Sequence, residues 1–323
     1  MSTRLSLAVE TVFDAPELGR IAVFAPRAGL DLSALDKDRL HLIQGFKPDH
    51  DAWARAGYDV SVAPQGAYSA AILCLPCAKA LARDLIAQAR ALTSGPILVD
   101  GDKVDGIESA LRDLRKRAEV GGPVSKAHGK AFQVTGGDFG DWRAAPAQVE
   151  GFQTLPGVFS ADGIDPASKL LAEALPAKLP KRMADLGAGW GYLSAQTLSR
   201  EGIEALHLVE ADHAALECAR ANVADARARF HWADARDVDL KALDGVIMNP
   251  PFHQARAAEP KLGLAFIASA ARILAPHGRL WMVANRHLPY EVSLKDAFRT
   301  VTEIAGDTRF KVLYAEKPSR RGR

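Results

Sequence analysis

A short glycine-rich segment constrains the fold of this chain more than any other feature of its sequence. Asp185-Leu-Gly187-Ala-Gly189-Trp-Gly191 follows the apolar strand candidate RMADL and precedes a helix candidate that starts at Tyr192. Glycines let the backbone turn sharply and let a ligand approach the main chain, and the helix that follows begins with free N–H groups. The segment predicts a strand–turn–helix unit with a ligand site. A glycine-rich turn without a ligand is the alternative.

The spacing of these glycines favours a positively charged nucleoside as the ligand. A dinucleotide-binding turn reads G-x-G-x-x-G, whereas this turn reads G-x-G-x-G and has Asp185 two residues before its first glycine. A carboxylate there would repel a pyrophosphate and pair with an ammonium group. S-adenosyl-L-methionine, which carries an ammonium and a sulfonium, is therefore the predicted cofactor.

Two further acids stand where such a cofactor would need them. Glu210 ends the strand candidate ALHLVE, 19 residues after Gly191, where an acid can accept hydrogen bonds from both ribose hydroxyls. Asp234 follows a short strand candidate, 228–232, and could accept the adenine amino group. Each acid also has an ordinary interpretation, Glu210 as a surface residue and Asp234 as a loop or helix-capping residue.

The motif Asn249-Pro250-Pro251-Phe252 is the most informative about chemistry. It follows the buried strand candidate GVIMN, and two prolines make a stiff turn at a strand end, where open α/β sheets bind ligands. The Asn249 amide oxygen and the Pro250 backbone carbonyl could both accept from a planar –NH₂ group, and Phe252 could stack on its ring. These four residues are the predicted catalytic set, with Asn249 also close to the cofactor. The alternative is a proline-rich turn with a buried Phe.

Strand and helix candidates alternate twice along the chain, which predicts an α/β fold with parallel pairing in each half. A glycine-rich stretch from Thr135 to Gly151 places the boundary between domains 1–145 and 146–323. The segment GGPVSKAHGK, from Gly121, lacks periodicity and is predicted to be a loop. Strand candidates begin at Ile21, Leu40, Tyr58, Ala70 and Pro96 in the first half and at Arg182, Ala205, Ala228, Gly245, Arg279 and Phe310 in the second.

Composition excludes several other classes of protein. The net charge is only +2, which permits a nucleic-acid partner without requiring one. No apolar run approaches a membrane span, and no histidine spacing suggests a metal site. The low and odd number of cysteines, Cys74, Cys77 and Cys218, indicates a reducing compartment. Cys74 and Cys77 form a C-x-x-C pair in an apolar run and are expected to be small buried hydrophobes, with redox or metal use as the alternative. We expect a cytoplasmic monomer without metal.

These motifs resemble those of class I methyltransferases that modify amino groups. The segments TLPGVFSADGID (Thr154–Asp165), NPPFH, VANRHLPYE and TRFKVLYAEK narrow the resemblance to ribosomal-RNA guanine-N2 methyltransferases of the RsmC type. The resemblance implies two tandem Rossmann-like domains, a degenerate N-terminal one and a catalytic C-terminal one with a mostly parallel seven-stranded sheet and flanking helices. It also implies that the partner is small-subunit ribosomal RNA or the small subunit. Three roles stay open for the N-terminal domain: it could bind RNA, cover the active site or stabilise the C-terminal domain.

Three other functions remain open from the residues. N5-glutamine methylation of a protein needs the same pair of acceptors for a planar –NH₂. A nicotinamide oxidoreductase is disfavoured by the glycine spacing, since a dinucleotide site reads G-x-G-x-x-G. A non-catalytic RNA-binding or assembly protein with a retained nucleoside pocket is disfavoured by the intact N-P-P-F.

Overall fold

The chain forms two compact units, Met1–Ala145 and Pro146–Arg323. The computed structural model describes residues 3–251, 253–254, 257–258 and 260–319. Among these residues no helix combines the length and the hydropathy that crossing a membrane requires. Phe252 lies outside the described residues, so its predicted stacking role stays a prediction.

The N-terminal unit is an α/β sandwich with a mixed sheet. Its strands pair in the order β3-β2-β1-β4-β5-β8-β6, with β7 also on β8; β1 to β5 run parallel and β8 is antiparallel to β5. The helices are α1 Arg4–Thr11, α2 Lys47–Arg55, α3 Lys79–Leu92 and α4 Ile107–Leu114; the strands are β1 Ile21–Phe24, β2 Leu40–Ile43, β3 Asp59–Ser61, β4 Ala70–Cys74, β5 Ile97–Asp102, β6 Glu119–Val120, β7 Val124–Lys126 and β8 Gly129–Thr135.

The C-terminal unit repeats this architecture around a seven-stranded sheet of order β13-β12-β11-β14-β17-β19-β18. Only β19 runs antiparallel to its neighbours, which confirms the predicted fold class. The helices are α5 Pro166–Ala174, α6 Tyr192–Leu198, α7 His213–Asn222, α8 Pro260–Ile273 and α9 Tyr290–Ala297; the strands are β9 Ala147–Val149, β10 Phe152–Thr154, β11 Arg182–Leu186, β12 Ala205–Glu210, β13 Ala228–Trp232, β14 Leu243–Met248, β15 His253–Gln254, β16 Ala257–Ala258, β17 Leu274–Asn285, β18 Phe298–Gly306 and β19 Phe310–Pro318.

The central strands of this sheet are buried on both faces. Alternate residues of β14 and β11 pack into two different cores, Met248 and Leu186 into one and Ile247 and Met183 into the other. Such continuous apolar strands are expected where helices cover both faces of a parallel sheet. The rigid layer fixes the positions of the strand ends, where the candidate site lies.

Two expectations from the sequence are wrong. The segment from Gly121 is a β-hairpin, β7 and β8, whose turn residues Ala127 and His128 both have positive φ. Hairpin turns with two left-handed residues usually contain glycine or asparagine, so the sequence carried no signal for this one. Cys77 is exposed and Cys74, the last residue of β4, is half-buried, although both were expected to be buried.

Candidate active site

The predicted site residues lie at one edge of the C-terminal sheet. Strands β13, β12, β11 and β14 are adjacent and parallel, so their carboxyl ends meet there. Asp234 follows β13, Glu210 ends β12, the turn 187–191 follows β11 and Asn249 follows β14. This edge therefore brings together residues that are far apart in the sequence.

The glycine turn is built from left-handed backbone. Gly187, Gly189 and Gly191 have φ of 78°, 55° and 94°, values that side chains with a Cβ rarely adopt. The N–H groups of Gly187 and Ala188 both donate to the Val209 carbonyl of β12 (2.9 and 3.1 Å). The turn is thus anchored to the neighbouring strand before α6 begins at Tyr192.

Substituting two of these glycines should have different effects. A Cβ at Gly191 would lie 2.9 Å from Val223 Cγ2 and 3.2 Å from Ala219 Cβ, whereas a Cβ at Gly189 would meet nothing within 4 Å. We expect Gly191→Ala to lower the free energy of unfolding by about 2–4 kcal/mol through left-handed strain and overpacking. Gly189→Ala should lower the free energy of unfolding by only about 1–2 kcal/mol, and its main effect should be weaker cofactor binding. Urea denaturation and calorimetry distinguish the two, and equal losses of stability would contradict this reasoning.

Glu210 joins the glycine turn to the next strand. Its Oε2 accepts from the Gly189 N–H and its Oε1 from the Asp212 N–H, both at 2.8 Å. Burial raises the pKa of Glu210 to about 6, against the effect of these N–H donors. A carboxylate has about four acceptor positions, so acceptor capacity remains for a ligand.

Asp234 is held by its own loop. Arg236 Nε lies 2.9 and 2.8 Å from its two carboxylate oxygens, and the Arg236 backbone N–H donates to Oδ1 (2.9 Å). Any further donor to Asp234, such as an adenine amino group, must share the carboxylate with this guanidinium. Its predicted role in cofactor binding stays a prediction.

Asp185 is fully buried beneath the turn. Its Oδ2 accepts from the Ser194 hydroxyl of α6 (2.7 Å), and its Oδ1 has no hydrogen-bond partner among the described residues. Burial, with the charge of Glu210 as a smaller cause, raises the pKa of Asp185 to about 7. The side chain does not line the cavity described below, so direct pairing with an ammonium also stays a prediction.

This raised pKa predicts a pH dependence of stability. The unfolded carboxyl titrates near 3.9, so between about pH 4 and 7 the folded state binds more protons than the unfolded state. The contribution is fully present below pH 4 and is lost as pH rises through about 7. Asp185→Asn, which cannot titrate, should therefore gain stability relative to wild type between pH 5 and pH 8. Urea denaturation at pH 5 and at pH 8 measures the free energy of unfolding of both proteins. If the difference between variant and wild type were the same at the two pH values, this prediction would be contradicted.

Asn249 presents its amide oxygen without a partner. Its Nδ2 donates to Asp165 Oδ2 and to Ser168 Oγ, both at 2.9 Å, while Oδ1 is buried and has no partner among the described residues. An unsatisfied buried acceptor costs about 1–3 kcal/mol, which indicates that a ligand donor belongs there. Pro250, next along the chain, is buried and Pro251 is exposed.

A small cavity lies between Asn249 and the glycine turn. Its walls include the backbone of Gly187 and Gly189 together with the side chains of Asp165, Ser168, Phe159 and Trp190. The free acceptor of Asn249 and the open space at Gly189 fit a ligand that approaches the backbone and donates hydrogen bonds. Among the described residues no group of three potential metal ligands occurs.

Sequence reasoning gave no site role to most of the residues that line this cavity, among them Asp165, Ser168, Phe159 and Trp190. Phe159 and Asp165 lie in the segment Thr154–Asp165, which carried part of the resemblance but received no role. The Trp190 indole donates to the Phe159 carbonyl (2.8 Å) and so ties this segment to the glycine turn. A helix-start signal, Asp165 before Pro166, was present in the sequence and could have drawn attention to α5.

The N-terminal unit repeats the strand arrangement without these residues. The register of its central strand with the two neighbouring strands identifies the equivalent positions. They are Ala25 for Gly187, Gln44 for Glu210 and Cys74 for Asn249. Gln44 even accepts from the backbone N–H two residues later, as Glu210 does. This unit thus has the fold but neither the glycine turn nor the asparagine.

Comparison with known proteins assigns this arrangement to the S-adenosylmethionine-dependent methyltransferases. A family model described as the methyltransferase small domain matches residues 150–314, about half of the chain. The chain therefore belongs to this family.

Individual relatives of this chain are methyltransferases of ribosomal RNA. A ribosomal RNA small subunit methyltransferase C from Hahella chejuensis is 32% identical over 232 residues, 67% of each chain. A ribosomal RNA large subunit methyltransferase G from Aeromonas salmonicida is 33% identical over 167 residues, 50% of this chain and 44% of that protein. A small subunit methyltransferase C from Shewanella oneidensis is 28% identical over 93% of this chain, whereas a large subunit methyltransferase G from Shewanella sp. is 28% identical over 73% of it.

A solved structure matches both units. The T. thermophilus 16S rRNA N2 G1207 methyltransferase (RsmC), in complex with AdoMet and guanosine, superposes with a TM-score of 0.80 at 27% identity. The match covers 97% of this chain and 91% of that one. The sequence-based recognition of an RsmC-like methyltransferase is confirmed.

Proposed function

We propose that this protein transfers a methyl group from S-adenosylmethionine to the exocyclic N2 amine of a guanine in small-subunit ribosomal RNA. This proposal rests mainly on the Asn249 amide oxygen, which is a buried acceptor without a partner among the described residues. The T. thermophilus neighbour, an N2-guanine enzyme of 16S rRNA, supports the choice of base and RNA. With such a substrate, we expect the protein to act in the cytoplasm.

For the cofactor we assign the edge residues already described. Gly187 and Gly189 leave the backbone open to it, and Gly191 lets the turn pack closely on α7 and so holds its shape. The acceptor capacity that remains on Glu210 suits a ribose diol. Asp185 would oppose its ammonium and Asp234 its adenine amino group. When bound, the cofactor supplies a methyl group already activated by the sulfonium, so the chain mainly supplies position and electrostatics.

For the substrate amine, the chain supplies acceptors. The lone pair of a guanine N2 is delocalised into the ring, which makes it a poor nucleophile. Asn249 Oδ1 and the Pro250 carbonyl would each accept one N–H, orient the lone pair and stabilise the positive charge that grows on nitrogen. Pro251 stiffens this turn, and Phe252 would stack on the base after it leaves its helix. The proton can leave after transfer, so no strong base is required beforehand.

The test is transfer of labelled methyl groups to a panel of substrates. Purified protein with methyl-labelled cofactor is incubated in parallel with unmodified small subunits, free small-subunit rRNA, large subunits and a release factor. Label in one guanine N2 of the small subunit or its rRNA is the expected result. Label only in the release factor would reassign the protein to glutamine methylation. Cofactor binding without transfer to any substrate would favour the non-catalytic RNA-binding alternative.

A further inference from the structure

A carboxylate distant in the sequence orients the Asn249 amide. Asp165 lies 84 residues before Asn249, and its Oδ2 accepts from Asn249 Nδ2 at 2.9 Å. A carboxylate in contact with an amide favours its –NH₂ end, because an ionised carboxylate only accepts. Ser168 Oγ accepts at the same nitrogen, also at 2.9 Å. With Nδ2 occupied, Oδ1 is left as the group available to a ligand.

The helix α5 holds Asp165 independently of Asn249. Asp165 is the N-cap of α5, with Pro166 at the first helical position, and its Oδ2 also accepts from the Ser168 N–H (2.8 Å). The same helix buries Ala167, Leu171 and Ala172 in the core. The acceptor that faces Asn249 is therefore fixed by a capped and packed helix, as a precise site requires.

We propose that Asp165 is a positioning residue for methyl transfer. It fixes the Asn249 amide so that Oδ1 faces the substrate amine, and its negative charge polarises the amide so that Oδ1 accepts more strongly. Hydrogen bonds in a chain polarise one another in this way. The inference rests on the proposed function, in which Asn249 accepts from the amine, and adds a residue that acts through Asn249 without touching the substrate.

Two substitutions separate the helix cap from the positioning role. Serine and asparagine cap helices as well as aspartate does, but a serine hydroxyl is one atom shorter and would leave Asn249 Nδ2 with Ser168 Oγ and without its charged partner. Asp165→Asn keeps an acceptor oxygen without the charge. We expect kcat to fall about 10- to 100-fold in Asp165→Ser, the effect of losing one charge-assisted hydrogen bond, and by less in Asp165→Asn. Thermal stability should stay near wild type in both, and kcat should fall more than cofactor affinity, because Asp165 also lines the cavity.

A second readout needs no catalysis. The sequence has three asparagines, Asn222, Asn249 and Asn285, so ¹⁵N-asparagine labelling gives three side-chain amide signals that single substitutions assign. Asn222 is the internal control, because its Nδ2 donates to the backbone carbonyls of Gln153 and Trp190 (both 2.8 Å). In Asp165→Ser the Asn249 signals should move and exchange faster with water, while those of Asn222 stay in place. Unchanged Asn249 signals would overturn the inference.

A double substitution distinguishes this inference from the proposed function. In an Asn249→Ala background, Asp165→Ser should cause little further loss of kcat, since the two residues act as one unit. A full additional loss would show that Asp165 acts by another route. Normal kcat in Asp165→Ser, with Asn249→Ala inactive, would overturn the inference and leave the proposed function standing. If wild-type protein methylates no substrate, the proposed function fails and the kinetic role of Asp165 fails with it.

Discussion

Asn249→Ala should lower kcat for methyl transfer by about 10²- to 10³-fold, the effect of removing one preorganised group from a site where charge develops. The substitution removes Oδ1, the buried acceptor without a partner among the described residues, and leaves the backbone turn in place. Single-turnover kinetics with labelled cofactor and small-subunit RNA measure the loss. We expect KM for RNA to change less than kcat, because the acceptor matters most as the nitrogen becomes positive.

The control for this substitution is cofactor binding. Gly187, Gly189 and Glu210 hold their backbone contacts without Asn249, so the cofactor Kd measured by calorimetry should stay within about threefold of wild type, a difference of less than one kcal/mol. A variant that transfers methyl groups at the wild-type rate with unchanged Kd would show that Asn249 is not the acceptor. Loss of both methyl transfer and cofactor binding would indicate a damaged fold.

Arg4→Ala should strongly destabilise the N-terminal unit. Arg4 lies in the crevice equivalent to the active site, where its Nε and Nη2 contact the two oxygens of Asp100 (2.6 and 3.1 Å) and its Nη1 contacts Asp102 (2.8 Å). The Arg4 and Asp100 side chains are only 12% and 9% exposed. Removing one partner of a buried pair leaves an uncompensated charge, at a cost of about 3–5 kcal/mol. Amide hydrogen exchange in β5 and β8 measures the loss locally.

Two further variants test this explanation. Arg4→Ala with Asp100→Asn should recover part of the stability, because the unpaired charge is then absent. Arg20→Ala is the matched surface control: the Arg20–Asp59 pair is 41% and 59% exposed, and pairs of this kind contribute about 0–1 kcal/mol. If Arg4→Ala cost no more than Arg20→Ala, the crevice pair would not stabilise the unit.

Most of the candidate site could be predicted from short segments of the sequence. The glycine turn was predictable because positive φ at three positions needs glycine, and the acid at Glu210 was predictable because parallel strands end at a shared edge. The N-P-P turn was predictable for a similar reason, since two prolines restrict the backbone at a strand end. In each case the signal spans a few residues and depends little on the rest of the chain.

The contacts between distant segments were not predictable. Nothing in the local sequence of Asp165 indicates that it faces Asn249, because α5 must first pack on the sheet. The raised pKa of Asp185 was also not predictable, because it depends on complete burial of the side chain and on the nearby charge of Glu210. Similarly, β8 pairs with both β7 and β5, and the turn of the β7–β8 hairpin, Ala127 and His128, contains no glycine.

By itself the sequence determined the class of fold, the position of the glycine turn and the position of the asparagine to which we assign the substrate amine. These follow from backbone restrictions and from strand order, which are local or nearly local properties of the chain. Only the tertiary structure decided which end of the Asn249 amide is free, which acids are buried, and that the equivalent crevice of the N-terminal unit contains the Arg4–Asp100 pair. Those properties arise from burial and from contacts between distant residues, which exist only after the helices pack on the two sheets.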